Sequence, residues 1–221
     1  MIDTLALAPA QMAALLCARL CHDLVSPVSA LGAALSVLDD ENAADMRDDA
    51  LDLVRTGVRQ AQSKLEYARL AYGAGGSAPG VIDMREIQRL AGNLYKEAKQ
   101  ELIWKTEASG LGKPAARVLL NLLMLAVDSI PRGGQVTLDV TSNGGGTRIR
   151  LISQGKKARI EESVKLALAG KTPDDGFDGR SILPYYTGLI AREADGRVDT
   201  HVEEERTEFS ALIPPMEGMI G

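Results

Sequence analysis

Residues 19–31 read "RLCHDLVSPVSAL", a run that carries one of the chain's two histidines, an aspartate directly after it and a proline five residues on. Around those three residues the pattern is helical. Ala14, Cys17, Cys21, Leu24, Val28, Leu31, Leu35 and Leu38 recur at alternating spacings of three and four, the seam of an amphipathic helix packed along another. The turn formers of "DDENAAD" (39–45) interrupt it. A second seam follows at Leu51, Val54, Val58, Ala61, Leu65, Ala68 and Tyr72, and "GAGGSAPG" (73–80) ends it, with Gly73 placed as a helix stop. Two long helices joined by a short loop make an antiparallel hairpin. A lone hairpin leaves one side of its apolar seam wet. A second copy would dry it as a four-helix bundle, which predicts a homodimer through residues 10–72, unless the C-terminal half covers the seam instead.

The bulk properties frame this reading. The 221 residues suffice for one large domain or two small ones. Apolar residues at 45% and charged residues at 25% are the mix of an ordinary globular chain, and aromatics at 4% beside abundant Ala and Leu favour helix. A net charge of −5 with no dense basic run speaks against a nucleic-acid partner. The opening "MIDTLALAPAQMAALL" lacks a basic n-region, so no signal peptide is read, and no run reaches ~20 uninterrupted apolar residues, so no membrane span is expected. Cys17 and Cys21 lie four apart on the helical repeat rather than in a metal or redox spacing, and are expected as buried thiols of a reducing, cytoplasmic compartment.

From Val81 onward helices and strands mix. "DMREIQRLAGNLYKEA" and "KPAARVLLNLLMLAVDSIP" are helical, the second opened by Pro114. "ELIWKTE", "GQVTLDVTSN" and "GTRIRLIS" have strand character, the last two flanking the turn "NGGG". "RIEESVKLALAG" and "RSILPYYTGLIAREAD" are helical, and "GRVDTHVEE" with "RTEFSALIP" form a closing hairpin. The fold class is therefore α+β: a helical hairpin over residues 1–75, then an α/β sandwich over residues 76–221 built on an antiparallel meander. Trp104 is expected in the second core. His201 sits among acidic neighbours on a strand face and has no companion for a zinc site. Ser29, Ser36 and Ser63 lack a nucleophile-elbow context.

On the first helix His22 follows a seam position and faces outward, on a ridge with Ser26, Ser29 and Ala33. Small residues beside an exposed imidazole let another protein approach closely. A neutral imidazole nitrogen is a competent nucleophile near pH 7, and Asp23 can orient the ring or hold its proton. Pro27 removes a backbone donor and conflicts with the carbonyl of Asp23, at a cost of about 3 kcal/mol, so a kinked or loosened helix is expected beside His22.

"HDLVSP" resembles the H-box of dimeric histidine kinases, and the second half resembles their Bergerat-type ATP domain. "LLNLLMLAVDSIP" is similar to the N-box, with Asn121 at its first asparagine and Leu125 where the second asparagine would hold magnesium. An isobutyl group cannot ligate a hard cation. "LISQGKKARI" stands in the next box with Ser153 in place of the adenine-reading aspartate, and "DDGFDGRSILPYY" replaces the phosphate lid while carrying Asp174, Asp175 and Asp178. A phosphoacceptor hairpin joined to a decayed ATP domain resembles the ChpT-type histidine phosphotransferases of alphaproteobacteria, on "RLCHDLVSP", "DMRDDALDLV" (45–54) and the order of the boxes.

That resemblance implies a phosphorelay intermediate. It would bind no nucleotide or metal itself and would use Mg²⁺ held by a partner receiver domain. His22 is implied as nucleophile and phospho-carrier, with Asp23 as its catalytic companion. Arg19, Ser26 and Ser29 are implied in partner binding, and Pro27 shapes the site. The implied partners are a CckA-like hybrid kinase receiver and CtrA-like and CpdR-like response regulators. An active histidine kinase, or a regulator-binding protein that takes no phosphate, are the other readings.

Overall fold

The computed structural model describes residues 7–73, 80–174 and 176–215. Two helices open the chain, α1 (Pro9–Asp39) and α2 (Arg47–Ala71). A short 3-10 segment, Glu41–Met46, joins them, and the Asp40 carboxylate accepts from the Asn42 amide at its start. Glycine lets them approach closely. A Cβ on Gly57 of α2 would lie 2.9 Å from Leu31 Cδ2 and 3.2 Å from the Pro27 carbonyl oxygen. Past α2, Gly73 takes the left-handed conformation (φ +80°) that stops the helix; most of the expected linker, residues 74–79, lies outside the described residues.

A two-stranded antiparallel pair, β1 (Val81–Asp83) and β3 (Gly110–Gly112), brackets α3 (Met84–Leu94) and β2 (Gln100–Thr106). Asp83 caps α3 by accepting from the Arg85 amide at 2.8 Å. Helix α4 (Lys113–Asp128), β4 (Gly134–Asn143), β5 (Gly146–Gln154), α5 (Glu162–Leu168), α6 (Ile182–Glu193), β6 (Arg197–Glu203) and β7 (Arg206–Ile213) complete the order. The main sheet runs β2-β4-β5-β7-β6. It is mixed rather than a pure antiparallel meander, because β2 pairs parallel to β4, Gln100 opposite Gly134. α4 supplies part of the crossover that a parallel neighbour requires.

Alternation decides the layers. On β4 and β5, Val136, Leu138, Val140, Ile149 and Leu151 are buried, while Arg148 and Arg150 face water. One face of the sheet therefore carries α4 and α6 and the other is solvated. α4 is buried nearly all round, since the sheet lies on one side of it and α2 on the other; Tyr67 and Ala71 of α2 belong to the same core as Leu119, Leu122 and Phe209. Trp104 packs partly buried at that core's edge.

The hairpin seam is phased one residue away from the sequence expectation. The inward positions of α1 include Leu16, Leu20, Asp23, Pro27, Ala30, Ala34 and Val37, with Leu24, Leu31 and Leu38 shared by both phasings. Cys17 and Cys21 are exposed, not buried. The apolar stripe on α1 is wider than one heptad seam: α2 takes one edge of it, and Val25, Val28 and Leu35 on the other edge stay 51–60% exposed. The second half of the chain packs on the start of α1, where Met12, Leu15 and Leu16 meet Ile182 and Tyr185 of α6. α1 is also apolar enough over 18 residues, at mean hydropathy 1.4, to meet the length and composition of a bilayer crossing. The sequence expectation counted only uninterrupted apolar runs; in the structure this helix packs along α2 and α6 instead.

Candidate functional site

Helix α1 runs from Pro9 to Asp39 through the buried Pro27, so the proline does not break it beside His22. The reason lies in α2. A proline at position 27 leaves the carbonyl of Asp23, four residues earlier, without its helical N–H partner. The Lys64 ammonium donates to that oxygen at 2.7 Å. The cost of the proline is thereby partly offset from outside the helix, by a residue 41 positions away that no local motif announces.

The Asp23 side chain is held from two directions. Arg19, one turn earlier, donates through Nε to Oδ2 at 3.0 Å, and His22 Nδ1 lies 3.3 Å from Oδ1. A carboxylate only accepts, so in this contact Nδ1 carries the proton and Nε2 is left as the basic nitrogen. The His22 side chain is 84% exposed and Asp23 only 22%. The imidazole is thus open to solvent on its Nε2 side while Nδ1 is anchored at the protein surface. Partial burial works against the charge of Arg19, but the charge and hydrogen bond of Asp23 outweigh it and raise the guanidinium pKa. Arg19 also reaches the Gly179 carbonyl at 3.4 Å, which ties the site to the loop before α6. Ser26, Ser29 and Ala33 are exposed beside His22, as the ridge predicts.

A groove of about 240 Å³ runs between His22 and the second half of the chain. Arg19 and His22 form one wall; Leu125, Ser129, Arg159 and Arg180 are among those that form the other. Neither Arg159 nor Arg180 was singled out from sequence, because nothing local distinguishes them from other surface arginines. A second cavity of about 220 Å³ lies where α1, α2, α3 and α4 meet, lined by Arg19, Asp23, Lys64, Tyr72, Tyr95 and Asp128 among others. Burial pushes the Tyr72 phenol up to about 12, against the opposing pull of Arg19, so it stays neutral near pH 7. Burial likewise raises the Asp128 carboxyl, and the Arg19 charge opposes that rise.

The positions that resemble the boxes of a nucleotide domain are filled as follows. Leu125 lines the groove beside His22 with hydrocarbon. Ser153 is fully buried, its hydroxyl donating to the Ala126 carbonyl at 2.9 Å. Asn121 is fully buried as well; its Nδ2 donates to Ala71 at the end of α2 and to Arg117, both at 2.8 Å. It therefore satisfies one of the orphan carbonyls of a helix terminus. In the lid segment, Asp178 accepts from the Arg180 and Ser181 amides and the Ser181 hydroxyl, which holds its carboxyl below the usual range. Asp178 is a cap that shapes the loop; Asp175 lies outside the described residues. Among the described residues no group of three or more His, Cys, Asp or Glu side chains is placed to hold a metal. His201 is exposed, and its Nε2 lies 3.0 Å from Glu203 Oε1.

Comparison with known proteins places the whole arrangement. The family described as histidine phosphotransferase C-terminal domain matches residues 84–206. Protein phosphotransferase ChpT of Brucella abortus (strain 2308) is 34% identical over 200 residues, covering 90% of this chain and 94% of that one. A solved structure described as a bacterial phosphotransferase superposes with TM-score 0.84 at 31% identity, covering 94% of this chain and 98% of that one.

Proposed function

We propose a phosphorelay mechanism from one premise: the chain belongs to the family of ChpT-type histidine phosphotransferases and is a protein phosphotransferase. His22 is the phosphoacceptor, and the observation that carries this is its geometry. The imidazole is both open to a macromolecular partner and anchored through Nδ1 by a carboxylate that is itself fixed.

The reaction follows from that geometry. A receiver domain of a CckA-like hybrid kinase brings an aspartyl phosphate and its own Mg²⁺ to the small-residue ridge. The Nε2 lone pair of His22 attacks phosphorus in line. The bond between phosphorus and the aspartyl oxygen breaks, and the receiver aspartate leaves as a carboxylate. Positive charge that builds on the ring sits at Nδ1–H, against the Asp23 carboxylate. A CtrA-like or CpdR-like receiver then reverses the displacement, its aspartate attacking the phosphohistidine. Little covalent chemistry falls to the protein beyond positioning and charge compensation. Ser26 and Ser29 keep the approach clear, and Arg19 both holds Asp23 and adds positive charge.

No nucleotide of its own takes part; the buried Ser153 and the hydrocarbon of Leu125 support that reading. The chain acts as a soluble homodimer in the cytoplasm, the exposed stripe of Val25, Val28, Leu35, Val58 and Leu65 meeting a second copy. The test is label transfer. A phosphorylated receiver labels wild type and fails to label His22→Ala, while labelled ATP with Mg²⁺ labels neither. Labelling by ATP would make the chain a kinase, and equal labelling of His22→Ala would move the acceptor elsewhere.

A further inference from the structure

We infer that Lys64 is a positioning residue for phosphotransfer, standing in for the backbone donor that Pro27 removes; the inference rests on His22 being the phosphoacceptor. Its donor lies outside the motif around His22. Lys64 comes from the other helix of the hairpin, and its Nζ lies 2.7 Å from the Asp23 carbonyl oxygen. That oxygen is the acceptor a proline at 27 orphans. Asp23 is thus fixed at its main chain by Lys64 and at its carboxylate by Arg19, and only then does its second oxygen meet His22.

An exposed lysine would ordinarily wave in solvent, since its long stem loses rotamer entropy when held. Here the side chain is partly buried and lines the cavity that Arg19, Asp23 and Tyr72 also line. Its three donors and its charge suit an orphan carbonyl better than a neutral partner would. Proline prevents the helix from closing its own hydrogen bond at Asp23, and the bond is remade from α2. The orientation of the phosphoacceptor's companion therefore depends on how the two helices of the hairpin are seated. α1 alone does not set it.

The roles of Pro27 and Lys64 are coupled, and that coupling separates positioning from mere packing. Lys64→Met keeps the stem and removes the donor. Lys64→Arg keeps a cationic donor. Pro27→Ala returns a backbone N–H to Asp23. The readout is the single-turnover rate of phosphate transfer from a phosphorylated receiver, measured across receiver concentration, with thermal melts on each variant. Lys64→Met is expected to lower the saturating rate on the order of tenfold while half-saturation holds within about twofold, because a misplaced reacting group costs rate rather than docking. Lys64→Arg recovers most of that loss. In the Pro27→Ala background the same Lys64→Met change costs only about twofold, the carbonyl being satisfied within its own helix.

A Lys64→Met rate within twofold of wild type overturns the inference, as does an equal loss in both backgrounds. If Lys64→Met fails to fold alone, the Pro27→Ala pair decides. A folded double variant that matches Pro27→Ala supports the inference, and one that unfolds or loses tenfold overturns it. Failure of the underlying reading is visible separately, as wild type that takes no label on His22.

Discussion

Tyr186→Phe removes one oxygen atom and, with it, one of the polar ties between the two halves of the chain. Tyr186 is 7% exposed, and its hydroxyl donates to the Tyr72 carbonyl at 2.8 Å while accepting from the Arg117 guanidinium. Tyr72 ends α2 and Arg117 lies on α4, so the single hydroxyl joins the hairpin to the sandwich. The ring stays, and with it the contact of Arg117 over its face at 5.6 Å. Loss of the neutral bond is worth about 1 kcal/mol and of the one to a charged donor about 1.5 kcal/mol or more. Arg117 already has a buried Nε without a protein partner, so phenylalanine leaves the same guanidinium with a second unmet group. Partial exposure of Arg117 lets water recover some of this, and a net loss of about 2 kcal/mol is expected. For a chain of this size that lowers Tm by about 4–8 °C. Urea and thermal denaturation measure it, with Tyr185→Phe as the control. That neighbour's hydroxyl accepts from the Leu7 amide near the chain's start, so its loss should cost about 1 kcal/mol. A Tyr186→Phe stability within about 0.5 kcal/mol of wild type would refute the reasoning that this hydroxyl holds the halves together.

Three further outcomes follow from the same structure. Asp23→Asn leaves the side chain's shape but removes the charge opposite Nδ1. Transfer from a phosphorylated receiver should fall about ten- to hundredfold, measured by quench-flow, with receiver affinity little changed. The Arg150 hydrogen bond and charge, joined by Arg206, hold the Glu208 carboxyl below its ordinary value. A depressed carboxylate pKa contributes stability above the unfolded value, about 4.3, and loses it as pH falls through the folded one. Glu208→Gln should therefore be less stable than wild type at pH 7, and the gap in urea midpoint should shrink as pH drops below about 4. Val58→Glu with Leu65→Glu places charge on residues 40% and 47% exposed on the hairpin face. If the proposed dimer forms through this face, light scattering after size exclusion should find wild type dimeric and the variant monomeric.

How much of this was legible in the sequence depended on the range of the interaction. His22, Asp23 and Arg19 fall within one helical turn, so a 3.6-residue repeat brings them together without any knowledge of the fold. The β6–β7 and β4–β5 hairpins were equally local, announced by alternation and by turn residues. The phase of the hairpin seam was not, because α1 is apolar over more than one stripe, and only the position of α2 decides that Pro27 and Ala34 face inward while Cys21 and Val28 do not. The parallel pairing of β2 with β4 escaped for a similar reason: strand character in "ELIWKTE" says nothing of direction, which α4 and its connections set. Lys64 and Asn121 are the clearest cases of partners hidden from the sequence. Each satisfies a carbonyl far away in sequence, Lys64 that of Asp23 and Asn121 that of Ala71, and no spacing rule links such partners.

The most direct test asks which atom carries the phosphoryl group. Wild-type protein with ¹⁵N-labelled imidazole, phosphorylated by a receiver domain and examined by proton–nitrogen correlation NMR, should have phosphorus on His22 Nε2 and a proton on Nδ1. His201, exposed and beside Glu203 on β6, should stay unmodified. Phosphorus on Nδ1 of His22 would contradict the orientation assigned to Asp23, and phosphorus on His201 or on no histidine would contradict the account as a whole.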